Sequence, residues 1–101
     1  MTLCKLTLSC PKASAEAIIE HLLESSFLPQ GFTTMSANGH GADFRTASLR
    51  ERVRGRIDVT LVTAILPAAE VPHLIEGLRA NFRGAHVRYW TEPVHASGDL
   101  A

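Results

Sequence analysis

The sequence predicts an α+β fold: a ferredoxin-like split βαβ sandwich with a long loop between its second and third strands. Three observations predict it. Strand-like and helix-like segments follow in the order strand, helix, strand, strand, helix, strand. Ile57 to Leu66 is apolar on both alternating sets apart from Asp58, Thr60 and Thr63, which marks a central strand. Between the middle strands runs a stretch from Ala37 to Arg56, far beyond the usual connection of about 4–6 residues. The 101 residues suffice for one domain, 1–101, with one core.

The elements justify themselves in order. Thr2 to Ser9 alternates, with Cys4, Leu6 and Leu8 on one face and Leu3, Lys5 and Thr7 on the other. Pro11 suits a helix start, where a missing amide hydrogen costs nothing. Ala15, Ile18, Ile19, Leu22 and Leu23 recur at helical spacing as an apolar stripe, while Glu16, Glu20 and Glu24 form an acidic row on another face. Pro29 and Gly31 break the helix, and Phe32 to Ala37 reads as a second strand. After the third strand, Pro67 punctuates the chain. Val71, Leu74, Ile75, Leu78 and Phe82 then make a second amphipathic helix, with Pro72 tolerable only in its first turn. Gly84 suits a left-handed residue beyond the helix end, and Ala85 to Thr91 reads as the fourth strand.

Two interleaved right-handed βαβ units place both helices on one sheet face. Nothing in the sequence is left to cover the other. That face is expected to carry Leu3 and one alternate set of the third strand, Val62, Ala64 and Leu66 among them. Apolar sheet surface in a small protein calls for a partner, most simply further copies of the same chain. Tyr89 and Trp90 must point to opposite faces, one into the core and one into an interface.

Composition excludes several function classes. Lys+Arg 10 against Asp+Glu 10 leaves no net charge, which argues against a dedicated nucleic-acid binder. No apolar run spans a bilayer and no signal-peptide order opens the chain, so a cytoplasmic protein without membrane insertion is expected. Cys4 and Cys10 on one extended strand would lie roughly 20 Å apart, too far for a disulfide. No nucleophile–base order, phosphate loop or carboxylate pair supports catalysis, and no enzyme is expected. Cys10 near a helix start raises the option of a lowered thiol pKa, against the plainer reading of a buried structural cysteine.

The insert, 38–55, concentrates the candidate site residues. Arg45, Arg50, Arg52, Arg54 and Arg56 lie in or beside it and make up half of the basic residues. Arg50, Arg52, Arg54 and Arg56 fall at every second position, so an extended backbone would align four guanidiniums to grip phosphate or carboxylate. A solvated charged loop explains the same run without a ligand. Gly39 and Gly41 flank His40 and permit the backbone twist of an anion nest, or simply let the strand turn out into the loop. His40, close to Asp43, is the leading metal-ligand candidate. No His-x-His, His-x₃-His or Cys-x₂-Cys spacing supports a chelate within one segment, so a transition-metal site would have to assemble between copies.

Several segments resemble a known family. Cys10-Pro11, Ser36-Ala37-Asn38-Gly39-His40-Gly41, Val53-Arg54-Gly55-Arg56, and Arg88-Tyr89-Trp90 with Pro93-Val94 are similar to the PII-like signalling proteins. They are most similar to an uncharacterised PII-like family often encoded beside heavy-metal efflux pumps. The resemblance implies a homotrimer with inward-facing sheets, ligands in clefts between subunits, and a T-loop that contacts a target such as a membrane efflux component. It also marks departures. The family's Gly-Asp-Gly-Lys-type phosphate turn is replaced by Asn81-Phe82-Arg83-Gly84-Ala85-His86, and its Arg-Thr-Gly-Glu-type ending by His95-Ala96-Ser97-Gly98-Asp99. Nucleotide sensing in the manner of the nitrogen-regulating members is therefore not expected, nor is loop uridylylation, since the insert has no tyrosine. The expectation is a PII-like sensor binding a small ligand or metal ion. Two alternatives stay open: a CutA-like metal-binding tolerance protein, and a docking trimer without a ligand.

Overall fold

In the computed structural model, residues 2–41 and 55–101 are described. The strands are β1 (Leu3–Pro11), β2 (Thr33–His40), β3 (Arg56–Pro67) and β4 (Arg88–Val94). The helices are α1 (Lys12–Glu24) and α2 (Val71–Asn81), with a 3₁₀ turn at Ala68–Glu70 leading into α2. The sheet order is β2-β3-β1-β4, antiparallel at each pairing. This is the predicted split βαβ topology.

The centre of the sheet is the β1–β3 ladder, from Leu3 opposite Pro67 to Pro11 opposite Val59. Its parity decides which face is core. Cys4, Leu6, Leu8 and Cys10 are buried, and so are Val62, Ala64 and Leu66. These pack with Ala15, Ile18 and Leu22 of α1 and with Val71, Leu74, Ile75 and Leu78 of α2. The even set of β3 therefore faces the helices, and Val62, Ala64 and Leu66 are core rather than open-face residues. Period-two alternation in a strand apolar on both sides could not make that choice.

The open face carries the odd set. Thr33, Thr63, Thr7 and Trp90 form one cross-strand row, with Thr7 only 3% exposed. Around it Met35, Ile65 and Trp90 remain 54%, 37% and 44% exposed. Lys5 and Glu92 pair across the β1–β4 edge at 4.0 Å, both well solvated, which contributes little stability.

Several boundaries move from their sequence positions. β2 runs on to His40 rather than ending at Ala37, because Asn38, Gly39 and His40 pair with Asp58, Ile57 and Arg56. β4 starts at Arg88 rather than Ala85, because Gly84 and His86 both adopt left-handed backbone angles, φ 83° and 59°, that a ladder does not accommodate. It continues through Pro93, which an edge strand tolerates. Pro11 closes β1 and stands just before the first helical residue. Leu23, placed in the α1 stripe by spacing, is 70% exposed, so the buried stripe is the narrower Ala15, Ile18 and Leu22. Tyr89 and Trp90 do face opposite sides, but neither is core: Tyr89 is 48% exposed at the sheet edge.

Truncating Leu8, 1% exposed at the centre of the core, to alanine is expected to destabilise by about 2–5 kcal/mol. Leu23→Ala should cost less than about 0.5 kcal/mol. Urea unfolding of the two variants checks this, and comparable losses would refute the assignment of faces.

Candidate functional site at the base of the insert

The sheet topology gathers one end of the molecule. β1 and β2 run toward that end, and β3 and β4 run away from it. The insert base, the start of α1 and the α2–β4 turn therefore share it. β2 and β3 extend beyond the last β1 pair, Pro11 with Val59, as a two-stranded ribbon of Asn38–His40 with Arg56–Asp58.

Two glycines bracket the insert. Gly41 has φ 69° and Gly55 φ 73°, both in the left-handed region where a side chain is strained. Gly39 differs: it lies in the ladder opposite Ile57, and a Cβ there would make ordinary contacts of 3.6 and 3.7 Å with Ile57 O and Val59 Cγ1. The bend out of the strand thus belongs to Gly41. The left-handed backbone of Gly55 has no local signal in the sequence beyond the residue's identity.

The structure places Arg56 at the start of β3, directly across from His40. It is half-buried, and its Nε is buried with no hydrogen-bond partner among the described residues. A buried guanidinium donor calls for an acceptor. His40 is exposed, and directly opposed residues share a face of the ribbon, so its nearest cross-strand neighbour is a permanent cation. Arg50, Arg52 and Arg54, with Arg45 and Asp43, lie outside the described residues, so the extended stripe and the His40–Asp43 pair are not part of this geometry. Most of the proposed 38–55 insert likewise lies outside them. α1 starts at the same end with no side-chain cap and no acid in its first turn, leaving amide donors that favour negative charge.

Among the described residues, no three of His, Cys, Asp and Glu come together in a way that could hold a metal ion. His21 instead packs edge-on to Phe82 with centroids 5.5 Å apart, and His73 stacks on Phe27 at 6.0 Å. Cys4 and Cys10 are free and buried. Burial raises the Cys4 thiol pKa and pushes that of Cys10 up to about 11. The option of a thiol lowered by the helix start is thereby reversed: desolvation outweighs the helix end for Cys10. No helix among the described residues is long and apolar enough to cross a membrane.

Comparison with known proteins places the chain. The family described as "Protein of unknown function (DUF3240)" matches residues 1–101. A DUF3240 family protein from Shewanella baltica OS155 superposes with a TM-score of 0.81 at 23% identity, over 100% of this chain and 99% of that one. CPII, a nitrogen regulatory PII-like protein from Thiomonas intermedia K12 bound to ADP, AMP and bicarbonate, superposes with a TM-score of 0.70 at 18% identity, over 99% and 98%. A B. subtilis GlnK–ATP complex gives 0.66 at 9% identity, over 92% and 82%. No functionally curated protein matches the sequence. At these identities the likeness establishes the PII-like ferredoxin-type fold. The nucleotides in two of these neighbours lend no support to the sequence-based expectation against nucleotide binding.

Two outcomes follow from the geometry. Gly41→Ala and Gly55→Ala are each expected to lower stability by about 1–2 kcal/mol, against a near-neutral Gly39→Ala, as read by denaturant midpoints. With its pKa near 11, Cys10 should hold only about one thiolate in a thousand at pH 8. Iodoacetamide should therefore label it only on unfolding, and rapid labelling of the native protein would contradict its burial.

Proposed function

The chain belongs to the DUF3240 family, and from that premise we propose that it is a PII-like regulatory protein whose small anionic ligand binds at the base of the 42–54 segment. Binding there orders this arginine-rich segment for a target protein. The observation that carries the reading is Arg56: a half-buried guanidinium whose Nε lacks an acceptor among the described residues, beside the left-handed Gly41 and Gly55. A phosphate or carboxylate oxygen supplies the missing acceptor, and Arg50, Arg52 and Arg54 lie close enough in sequence to add charge. The uncapped start of α1 adds donors at the same end. ADP, AMP and bicarbonate, which CPII holds, are the first ligands to test. The replaced phosphate turn does not exclude them, because Arg83 and His86 put positive or protonatable groups where the sequence lacks lysine.

The protein acts as a homotrimer closed over the open sheet face, where Met35, Ile65 and Trp90 would otherwise stay in water. A metal-efflux component is the proposed target of the ordered segment, on the strength of the family resemblance. A metal ion as ligand is the second reading. It would require groups from several copies, since none gather in one, and the His40–Arg56 pairing weighs against it. Ligand gating in either form requires that the ligand bind the two states of the segment unequally.

The test is thermal unfolding of metal-free protein with ADP, AMP, bicarbonate and, separately, Zn, Cu, Ni, Co and Cd ions. At a hundred times its dissociation constant a native-state ligand stabilises by about 2.7 kcal/mol, or a rise of about 10 °C or more in so small a domain. The expected result is a rise with an anion that Arg56→Ala abolishes. A rise with a metal alone, lost in His40→Ala, would replace the anion reading with a metal sensor or CutA-like protein. No rise with any of them would leave a docking trimer. Light scattering of Ile65→Asp should show loss of the trimer, and a monomeric parent protein would refute the assembly.

A further inference from the structure

A broad cleft lies at the end of the molecule opposite the insert base, where β1 begins and β3 and β4 finish. Its volume of about 1040 Å³ stands at the upper limit of small-molecule pockets and has room for a peptide segment. Lys5, Thr63 and Ile65 of the open sheet face border it, and Phe27 and Phe32 add aromatic surface from the connection between α1 and β2. The rest of its border includes residues 97–100, from the segment that follows β4. Thr33 of β2 lines the same cleft, and β2 and β4 are opposite edges of the sheet. The chain after β4 therefore turns back across the sheet end.

That segment is poorly packed for a chain lying over its own sheet. Residues 95–101 are all exposed, and Leu100 is 103% exposed although it borders the cleft. The hydrogen bond the segment makes is internal, from the Ala101 amide to Asp99 Oδ1 at 2.8 Å. A single exposed leucine is ordinary. This one adjoins Asp99, and Lys5 and Asp99 are the two charged residues that border the cleft. The structure does not pair them; Lys5 instead reaches Glu92 at 4.0 Å, in solvent. The cleft thus offers an apolar hollow beside a cation, and the segment offers a leucine beside an anion. Within one chain the two do not engage, because Leu100 is turned to solvent. Ile65 belongs both to the cleft and to the exposed open face that carries Met35 and Trp90. Copies that meet over that face bring the segment of one to the cleft of another.

From this complementarity we infer that residues 97–101 of one copy dock in the cleft of the next. Leu100 is seated among Phe27, Phe32 and Ile65, and Asp99 pairs with Lys5, its second oxygen being available beside the internal bond. Passed round a closed ring, such a head-to-tail contact satisfies every copy. The inference rests on the proposed assembly over the open sheet face and adds the segment that each copy lends its neighbour. It involves neither the anion site at Arg56 nor the residues of the α2–β4 turn.

The test joins copies covalently. Gln30→Cys and Leu100→Cys are single variants at exposed positions bordering the cleft, while the native Cys4 and Cys10 are buried. The two variants are refolded together and treated with a short bismaleimide. The expected result is a joined pair in the mixture that neither variant forms alone. Leu100→Asp should weaken association about tenfold by sedimentation equilibrium, with the denaturant midpoint of the dissociated chain unchanged. Lys5→Glu should weaken it as well, and adding Asp99→Lys should restore it. Absence of the joined pair, joining confined to one chain in the double variant Gln30→Cys/Leu100→Cys, or association indifferent to Leu100→Asp would each overturn the inference. An oligomeric parent that is indifferent to Leu100→Asp refutes the exchange alone; a monomeric parent refutes the assembly and the exchange together.

Discussion

Antiparallel pairing of β1 with β3 fixes nearly everything else, because it sets the parity of the whole sheet. With Leu6 opposite Ala64 and Leu8 opposite Val62, one face gains an unbroken apolar surface for both helices. The other receives Thr7, Thr63 and Ile65. A slip of one residue would exchange the faces, burying threonines under the helices and exposing leucines. The positions of the insert base, of the α2–β4 turn and of the start of α1 all descend from this register. The ladder thus positions these elements while its own even residues, Leu6 and Leu8 among them, serve as core.

The insert base and the α2–β4 turn share one end of the molecule but differ in how their cations are held. At the insert base, Arg56 sits in a strand, beside the left-handed residues Gly41 and Gly55. At the α2–β4 turn the cations stand on a short connection carrying two left-handed residues, Gly84 and His86, above a rigid apolar floor.

The element order was legible because each strand and helix kept its period, and the long gap between β2 and β3 had few architectures to fit. The family resemblance reached the same topology through short motifs such as Cys10-Pro11 and Pro93-Val94. Other features were not legible, for particular physical reasons. β3 is apolar on both sides, so the sequence could not choose between Val62–Ala64–Leu66 and the odd set. Leu23 fits the helical spacing of α1, yet it stands outside the narrower buried stripe of Ala15, Ile18 and Leu22. Gly39 looks like a break and is a paired strand residue, while Gly41 makes the turn. The orphaned Nε of Arg56 and the cleft bordered by Phe27, Phe32 and Ile65 depend on three-dimensional neighbours that no spacing encodes.

The pairing of Leu3 with Val94 joins the first strand to the last. During synthesis, β1 emerges with both edges unpaired, gains β3 only after the insert has passed, and must wait for β4 to cover its second edge. Such distant contacts slow folding, because loop closure precedes the stabilisation they bring. Throughout that interval a strand rich in leucine and cysteine keeps a bare edge, the feature most open to pairing with another nascent chain. The same central position that organises the finished molecule thus makes β1 its most vulnerable segment on the ribosome.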